Sequence, residues 1–325
     1  MLPALLLVLL VAGVLVFAYA VLVERRWYRV RRHRLAILPR EATGLTVLHL
    51  SDLHLVRGDE GKRRFLASLP RTDVAVITGD VLGEPEAVEF ASASLRPVRG
   101  RVASLFVLGS NDLFAPRPIN PMRYLVPNGR RRRVTGRRGR AQDLVRELER
   151  DGWVHLRNRK CERRVDGVKM EIVGLDDPHI HRADLSVAPR TAPDAFGLAV
   201  VHAPDPAPEL AALGYDLVMA GHTHGGQVRL PVVGAIVTNC SIPTRLARGL
   251  ARLGRTYLHV SPGLGTSKYA PFRLLCRPEA TLLELSPRDR ARADTPSRRP
   301  TPWPRPRTAP RPAAGGRRGR GRRPA

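Results

Sequence analysis

The 325-residue chain is 43% hydrophobic, enough to bury a core in one large domain or two. Its net charge of +26 is concentrated: residues 24–34 hold six Arg and one Glu, residues 130–140 seven Arg and no acid, and residues 287–325 thirteen Arg and two Asp. The body between these runs is close to neutral, which argues against a fold built to bind nucleic acid, and three widely spaced cysteines without a CxxC pair exclude a disulfide framework and a thiolate zinc site.

Leu2 to Val23 runs 22 residues without a charge, long enough at about 1.5 Å per residue to cross a hydrocarbon core. Residues 1–23 are therefore expected to be a single-pass membrane anchor. A cleaved signal peptide ending at Ala18-Tyr19-Ala20 is the alternative; no Lys or Arg precedes the run, and the run exceeds the usual signal core. Arg25, Arg26, Arg29, Arg31, Arg32 and Arg34 follow at once, placing that side in the cytoplasm by the positive-inside rule. Trp27 and Tyr28 suit the membrane interface, and residues 24–44 are taken as a basic juxtamembrane linker.

From Leu45 short apolar runs end in polar clusters. Thr46 to Leu50 leads into Ser51-Asp52-Leu53-His54, Val74 to Thr78 into Gly79-Asp80, and Ser104 to Leu108 into Gly109-Ser110-Asn111-Asp112, with a helix expected over 63–69. Alternating strand and crossover is an α/β signature, and ligands in such sheets gather at the carboxyl ends of the strands. The Arg-rich stretch around 130–140 is expected to be a solvated loop, and 143–151 a helix. Further strands are expected at 153–156, 169–173, 197–201 ending at His202, 216–220 ending at Gly221-His222-Thr223-His224-Gly225-Gly226-Gln227, 227–230, 257–260 and 280–285. So many strands with few helices suggest two packed sheets within a 45–286 domain. Beyond Leu285 the Pro, Arg and Gly content predicts a disordered tail over 287–325.

Asp52, His54, Asp80, the Ser110/Asn111 pair, His202, His222 and His224 each sit at the end of an expected strand. Mixed imidazole and carboxylate ligands without thiolate suit two divalent ions such as Mn, Fe or Zn, and Asp80 could bridge them. The order D-x-H, G-D, a G-N-H-like cluster, H and G-H-x-H resembles the calcineurin-like metallophosphoesterases; Gly-Gly-Gln after the last histidine and the run from Arg273 to Leu285 resemble a bacterial, membrane-associated branch. The resemblance covers about 45–285. It implies a four-layer α-β-β-α sandwich in which Asp52, His54, Asp80 and His224 hold one metal, and Asp80, an amide side chain, His202 and His222 the other. It also implies in-line attack on phosphorus by a hydroxide held between the metals.

One cluster departs from the family. Where the family has Gly-Asn-His, this chain has Gly109-Ser110-Asn111-Asp112. Without a gap, Ser110 replaces the amide ligand and Asn111 the histidine near the leaving group. Shifted by one, Asn111 is the ligand and Asp112 takes the histidine's place, at the cost of a local bulge, because neighbouring strand residues point to opposite faces. On the shifted reading Asp80, Asn111 and Asp112 are the groups nearest the chemistry. Either way the histidine is absent, which among phosphodiester, pyrophosphate and phosphomonoester substrates favours those with acidic leaving groups, the diesters or pyrophosphates; the membrane anchor and the Arg-rich loop motivate a lipid-linked substrate. The alternatives are a degenerate metal-binding membrane scaffold and a nucleic-acid binder working through the tail, the latter opposed by the near absence of aromatics among the tail arginines.

Overall fold

A computed structural model describes residues 1–116, 118 and 136–288. The expected tail, apart from Pro287 and Arg288, and the Arg130 to Arg133 run lie outside the described residues. The N-terminal helix α1 (Leu2–Ala18) continues through a π turn (Tyr19–Val23) and a 3-10 turn (Glu24–Arg26). Together these span 25 residues with a mean hydropathy of 3.0 in the most apolar window, long and apolar enough to cross a membrane.

The first sheet orders β1 (Arg29–Leu38), β14 (Glu279–Pro287), β2 (Leu45–Leu50), β3 (Val74–Thr78), β4 (Ala103–Val107) and β5 (Val154–His155). Strands β2 to β5 run parallel, and β14 is antiparallel to β2. The second sheet orders β12 (Gly249–Leu253), β13 (Thr256–Val260), β9 (Leu217–Ala220), β8 (Phe196–Val200), β7 (Val168–Gly174) and β6 (Arg159–Val165). Its four inner strands are parallel and its two edges antiparallel.

The period-2 alternation of side chains divides the apolar residues among three cores. In β3, Ala75 and Ile77 face α2 (Glu60–Ala67), α3 (Val88–Leu95) and α5 (Ala141–Arg150), where Leu66, Val88, Leu95, Leu144 and Leu148 pack. Val74 and Val76 face the other way, against Met170, Ile172, Leu198, Leu217 and Met219 of the second sheet. The far side of that sheet, with Ala199, Val218 and Leu258, is covered by Leu210 of α6 (Ala207–Ala212). The chain is thus an α/β sandwich of two mixed sheets.

One stretch differs from expectation. Residues 29–38, read as part of a linker, form the edge strand β1, paired in parallel with β14. The arginines that suggested a solvated linker are held by carboxylates of β14 on both faces of the strand: Arg29 and Arg31 pair with the buried Glu279, Arg32 and Arg34 with Glu284, while Leu35, Ile37 and Leu38 enter the core between the sheets.

Candidate metal centre

The carboxyl ends of β2, β3, β8 and β9 converge, and the expected ligands lie just beyond them. Asp52, His54, Asp80, His222 and His224 all have positive φ, between 44° and 68°. Five non-glycine residues in the left-handed region at one place is backbone strain that the surrounding structure must hold. Backbone bonds do so: Asp52 N–H donates to Gly79 O, His54 N–H to Asp80 O, and Gly221 N–H to His202 O. Glycine is required at two points. A Cβ on Gly221 would lie 1.8 Å from Ser51 Oγ, and one on Gly109 2.2 Å from Asp80 Oδ1.

One ligand atom from each of Asp52, His54, Asp80 and His224 lies within 4.8 Å of the others. His54 Nε2 is 3.3 Å from His224 Nε2 and 3.6 Å from Asp80 Oδ2, and His224 Nε2 is 3.5 Å from Asp52 Oδ1. Ligand bonds of about 2.0–2.2 Å around one ion put neighbouring donor atoms roughly 3–3.5 Å apart, so the spacing fits a divalent metal. Asp52 Oδ1 is buried without a hydrogen-bond partner, which would be costly unless a cation faces it. These residues form a divalent-metal-binding cluster.

A second group gathers on the other oxygen of Asp80. His202 Nε2 is 3.7 Å from Asp80 Oδ1, and His222 Nδ1 is 3.2 Å from His202 Nε2. Asn111 supplies its backbone N–H to Asp80 Oδ1 at 2.8 Å and its side-chain amide to Oδ2 at 2.5 Å. Of the two residues in question it is therefore Asn111, not Ser110, that meets Asp80. The bulge expected for this register presupposes a continuing strand. Instead β4 ends at Val107, and α4 (Ser110–Leu113) begins a helical turn with its own angular spacing. Asp112 follows in the same turn. Its carboxylate is fully buried and accepts the N–H groups of Leu82 at 2.9 Å and Gly109 at 3.0 Å, bracing the turn. Burial, with Asp80 nearby, pushes its carboxyl up to about 7.

The surroundings set the protonation of the site. Burial holds the imidazoles of His54 and His224 down at about 3, which keeps them neutral as ligands must be. His202 goes the other way: burial opposes its charge, but Asp80, Asp177 and Asp52 raise it to about 9. A bound cation would compete directly for that proton. His202 Nδ1–H donates to Thr78 O at 2.7 Å and His224 Nδ1–H to Gly265 O at 3.3 Å, leaving Nε2 of each ring for the site. Asp52 Oδ2 accepts from Ser51 Oγ at 2.6 Å and from His222 N–H at 2.9 Å, so Oδ1 is the oxygen left for the cluster.

Several contributors were not read from sequence. Thr78 Oγ donates to Ser51 Oγ, so His49 Nε2–H must donate to Thr78, and His49 Nδ1 then accepts from His259 Nδ1–H at 2.7 Å. A directional chain of buried donors thus ends on Asp52. Lys62, buried on α2, donates to Leu53 O at 2.6 Å between the two ligands. After β7, Asp177 and His179 also approach: the His179 ring lies 4.4 Å from that of His222, and Asp177 Oδ2 is buried without a hydrogen-bond partner. The polar Asp176-Asp177-Pro178-His179 at a strand's carboxyl end was the available signal.

No family model matches the chain. The uncharacterized metallophosphoesterase YkuE of Bacillus subtilis is 26% identical over 283 residues, 83% of this chain and 89% of its own. The phosphodiesterase YaeI of Escherichia coli is 27% identical over 276 residues, 83% of this chain and 92% of its own. Among solved structures, the phosphopantetheinyl hydrolase of Mycobacterium tuberculosis aligns at 14% identity and a TM-score of 0.39, covering 71% of this chain and 92% of that one. With two near full-length sequence relatives of this kind and an Asp/His cluster spaced for a divalent metal, the chain is a relative of the calcineurin-like metallophosphoesterases.

Proposed function

We propose that the chain is a membrane-anchored phosphoesterase of the bacterial, membrane-associated branch, holding two divalent ions and cleaving phosphodiesters or pyrophosphates. The observation that carries this reading is the two-sided use of Asp80: Oδ2 faces His54, and Oδ1 faces His202. One ion would be held by Asp52, His54, Asp80 and His224, the other by Asp80, Asn111, His202 and His222. Three separate cores support a four-layer arrangement, and the arginines after the apolar helix support a cytoplasmic catalytic domain. The name of the Escherichia coli relative points to diesters.

Bound ions would supply Lewis acidity to the phosphoryl oxygens and lower the pKa of a coordinated water. The chain's own contribution is orientation. Thr78 O and Gly265 O fix the tautomers of His202 and His224, Asn111 steadies Asp80, and Ser51 with His222 N–H turns Asp52. With Asp112 sequestered, the position of the family's leaving-group histidine holds no acid. General acid help is worth about 10²–10⁴-fold, so acidic leaving groups are favoured over alkyl monoesters.

The test is metal analysis of the full-length protein with a substrate panel. Two ions per chain and turnover of bis-para-nitrophenyl phosphate, lost in Asp80→Ala, are expected. Failure on that diester by the Mn-loaded protein, with good hydrolysis of an alkyl monoester, would overturn the reading. The scaffold alternative gains support from the Asn111 amide, placed as a donor to Asp80; it expects one ion and no turnover.

A further inference from the structure

The hairpin that follows the GHTHGGQ motif ends in apolar side chains that pack on nothing. β10 (Arg229–Leu230) pairs with β11 (Gly234–Ala235), and the tip is Leu230-Pro231-Val232-Val233. Val232 is wholly exposed, Val233 more than half, and Leu230 nearly so. Val232 also has φ +65°, a conformation that a β-branched residue adopts only under strain. A strained valine facing water contributes nothing to the fold, so its environment must come from outside it.

The stem of this hairpin is tied to the end of the apolar helix. Val228 bridges Leu274, and Arg229 N–H donates to Leu274 O at 2.9 Å. The residues on either side of Leu274 bond to the helix: Arg273 N–H to Ala20 O at 3.1 Å, and Leu275 N–H to the Glu24 carboxylate at 3.0 Å. Leu275 is itself exposed, apolar and at φ +53°. Beside it Trp27 is half exposed, with the Arg277 guanidinium 3.9 Å from its ring centroid. Leu230, Val232, Val233, Leu275 and Trp27 are thus exposed apolar side chains on segments joined to the end of the helix, directly or through Leu274.

We propose that the 230–233 tip and Leu275 dip into the same bilayer leaflet in which the N-terminal helix ends, making a second membrane contact next to the metal centre. The occupant is the lipid surface, identified by this continuity with a helix of membrane-spanning length and by the interfacial tryptophan. The contact bears on substrate choice. Cys276 N–H donates to Glu24, and its Sγ donates to His224 O at 3.3 Å, so a metal-cluster residue stands two hydrogen-bonded links from the helix end. On the phosphoesterase reading, a site held there takes phosphoesters borne by lipid headgroups.

The test uses the full chain in proteoliposomes. A fluorophore is placed at Val232→Cys, or at Val102→Cys as a control, in a Cys161→Ser, Cys240→Ser background; the remaining Cys276 is buried. Val102 is exposed and precedes β4, at the opposite end of that strand from the site. The label at 232 is expected to be quenched by lipids carrying a nitroxide near the headgroup and shielded from iodide, and the label at 102 to show the reverse. A label at 232 that iodide quenches and lipid nitroxide does not would overturn the proposal. So would shielding that depends on protein density and not on nitroxide lipid, since that is contact with a second copy. Val232→Asp with Val233→Asp should leave bis-para-nitrophenyl phosphate turnover unchanged and lower turnover of a vesicle-borne phosphoester about tenfold, as weakened insertion of two side chains predicts. Equal turnover of the vesicle-borne ester by both proteins counts against the proposal. The label readout needs no catalysis, so an inactive protein that still inserts its tip refutes only the phosphoesterase reading.

Discussion

Replacing Arg273 with Met tests whether the metal centre is held from behind by a buried cation. The Arg273 side chain is wholly buried, and its guanidinium donates to Pro262 O at 2.7 Å, Gly263 O at 3.3 Å, Gly265 O at 2.6 Å and Cys276 O at 3.1 Å. The loop it gathers is the one whose glycines lie against the ligands. A Cβ on Gly263 would sit 2.6 Å from Asp52 Cβ, one on Gly265 2.7 Å from His54 Cβ, and Gly265 O also receives His224 Nδ1–H. Methionine keeps the stem's apolar packing but removes four hydrogen bonds, although Gly263 O keeps the Glu279 N–H and Gly265 O the His224 Nδ1–H. At about 1 kcal/mol net for each bond, the loss is roughly 3–4 kcal/mol. Lysine keeps the charge but offers a compact ammonium in place of a planar fork, so Arg273→Lys should recover only part of it. Urea unfolding reads the stability, and metal analysis of the same samples reads the site. A fall in midpoint for Met, a smaller one for Lys and a parallel loss of bound metal are expected. An Arg273→Met protein with an unchanged midpoint and full metal content would refute the reasoning.

Gly221→Ala should remove bound metal while leaving the fold intact by circular dichroism, because the added Cβ meets Ser51 Oγ and Asp52 Oδ2 within 2.5 Å. Asp112→Ala should cost about 1–3 kcal/mol of stability by leaving the Leu82 and Gly109 N–H groups unpaired, yet change the pH profile of turnover little; a lost acidic or basic limb would instead place Asp112 in the chemistry. Glu171 accepts from Arg190, Thr191 and Ala192, and although burial opposes its charge, these bonds hold its carboxyl down at about 2 against an ordinary 4.5. Its contribution, roughly 2–3 kcal/mol, is present above pH 4.5 and lost as pH falls toward 2, so Glu171→Gln should flatten the acid limb of the stability profile. Thr78→Val should break the donor chain from His259 to Asp52 and weaken metal binding; affinity equal to the parent's by titration would show that the chain does not orient Asp52.

Much of the architecture was legible because strand periodicity and polar strand ends are local signals. Apolar runs ending in Asp52, Asp80, His202 and His222 could be placed without tertiary knowledge. β1 was not, because the first half of this edge strand carries arginines on both faces. Its first half reads as a charge run until Glu279 and Glu284 are brought beside it from about 250 residues away. The same reason hides the support around the ligands. Lys62, Arg273, Thr78 and His49 are polar residues inside apolar or helical stretches, and their partners are backbone carbonyls or hydroxyls that no motif announces.

The Ser110-Asn111-Asp112 cluster illustrates how a sound local rule fails at a boundary. Alternation assigns neighbouring residues to opposite faces only while the chain stays extended. Here Gly109 is extended at φ −108° and ψ 177°, and the next residue begins a helical turn, in which successive side chains are about 100° apart. That step lets Asn111 reach Asp80 while Asp112 folds back onto the Gly109 N–H as the turn's own cap. Ser110 occupies the first helical position of that turn. The acidic residue following the Asn is explained by the turn it stabilises, and on the Asp177 and His179 side of the cavity a buried carboxylate oxygen still lacks a partner.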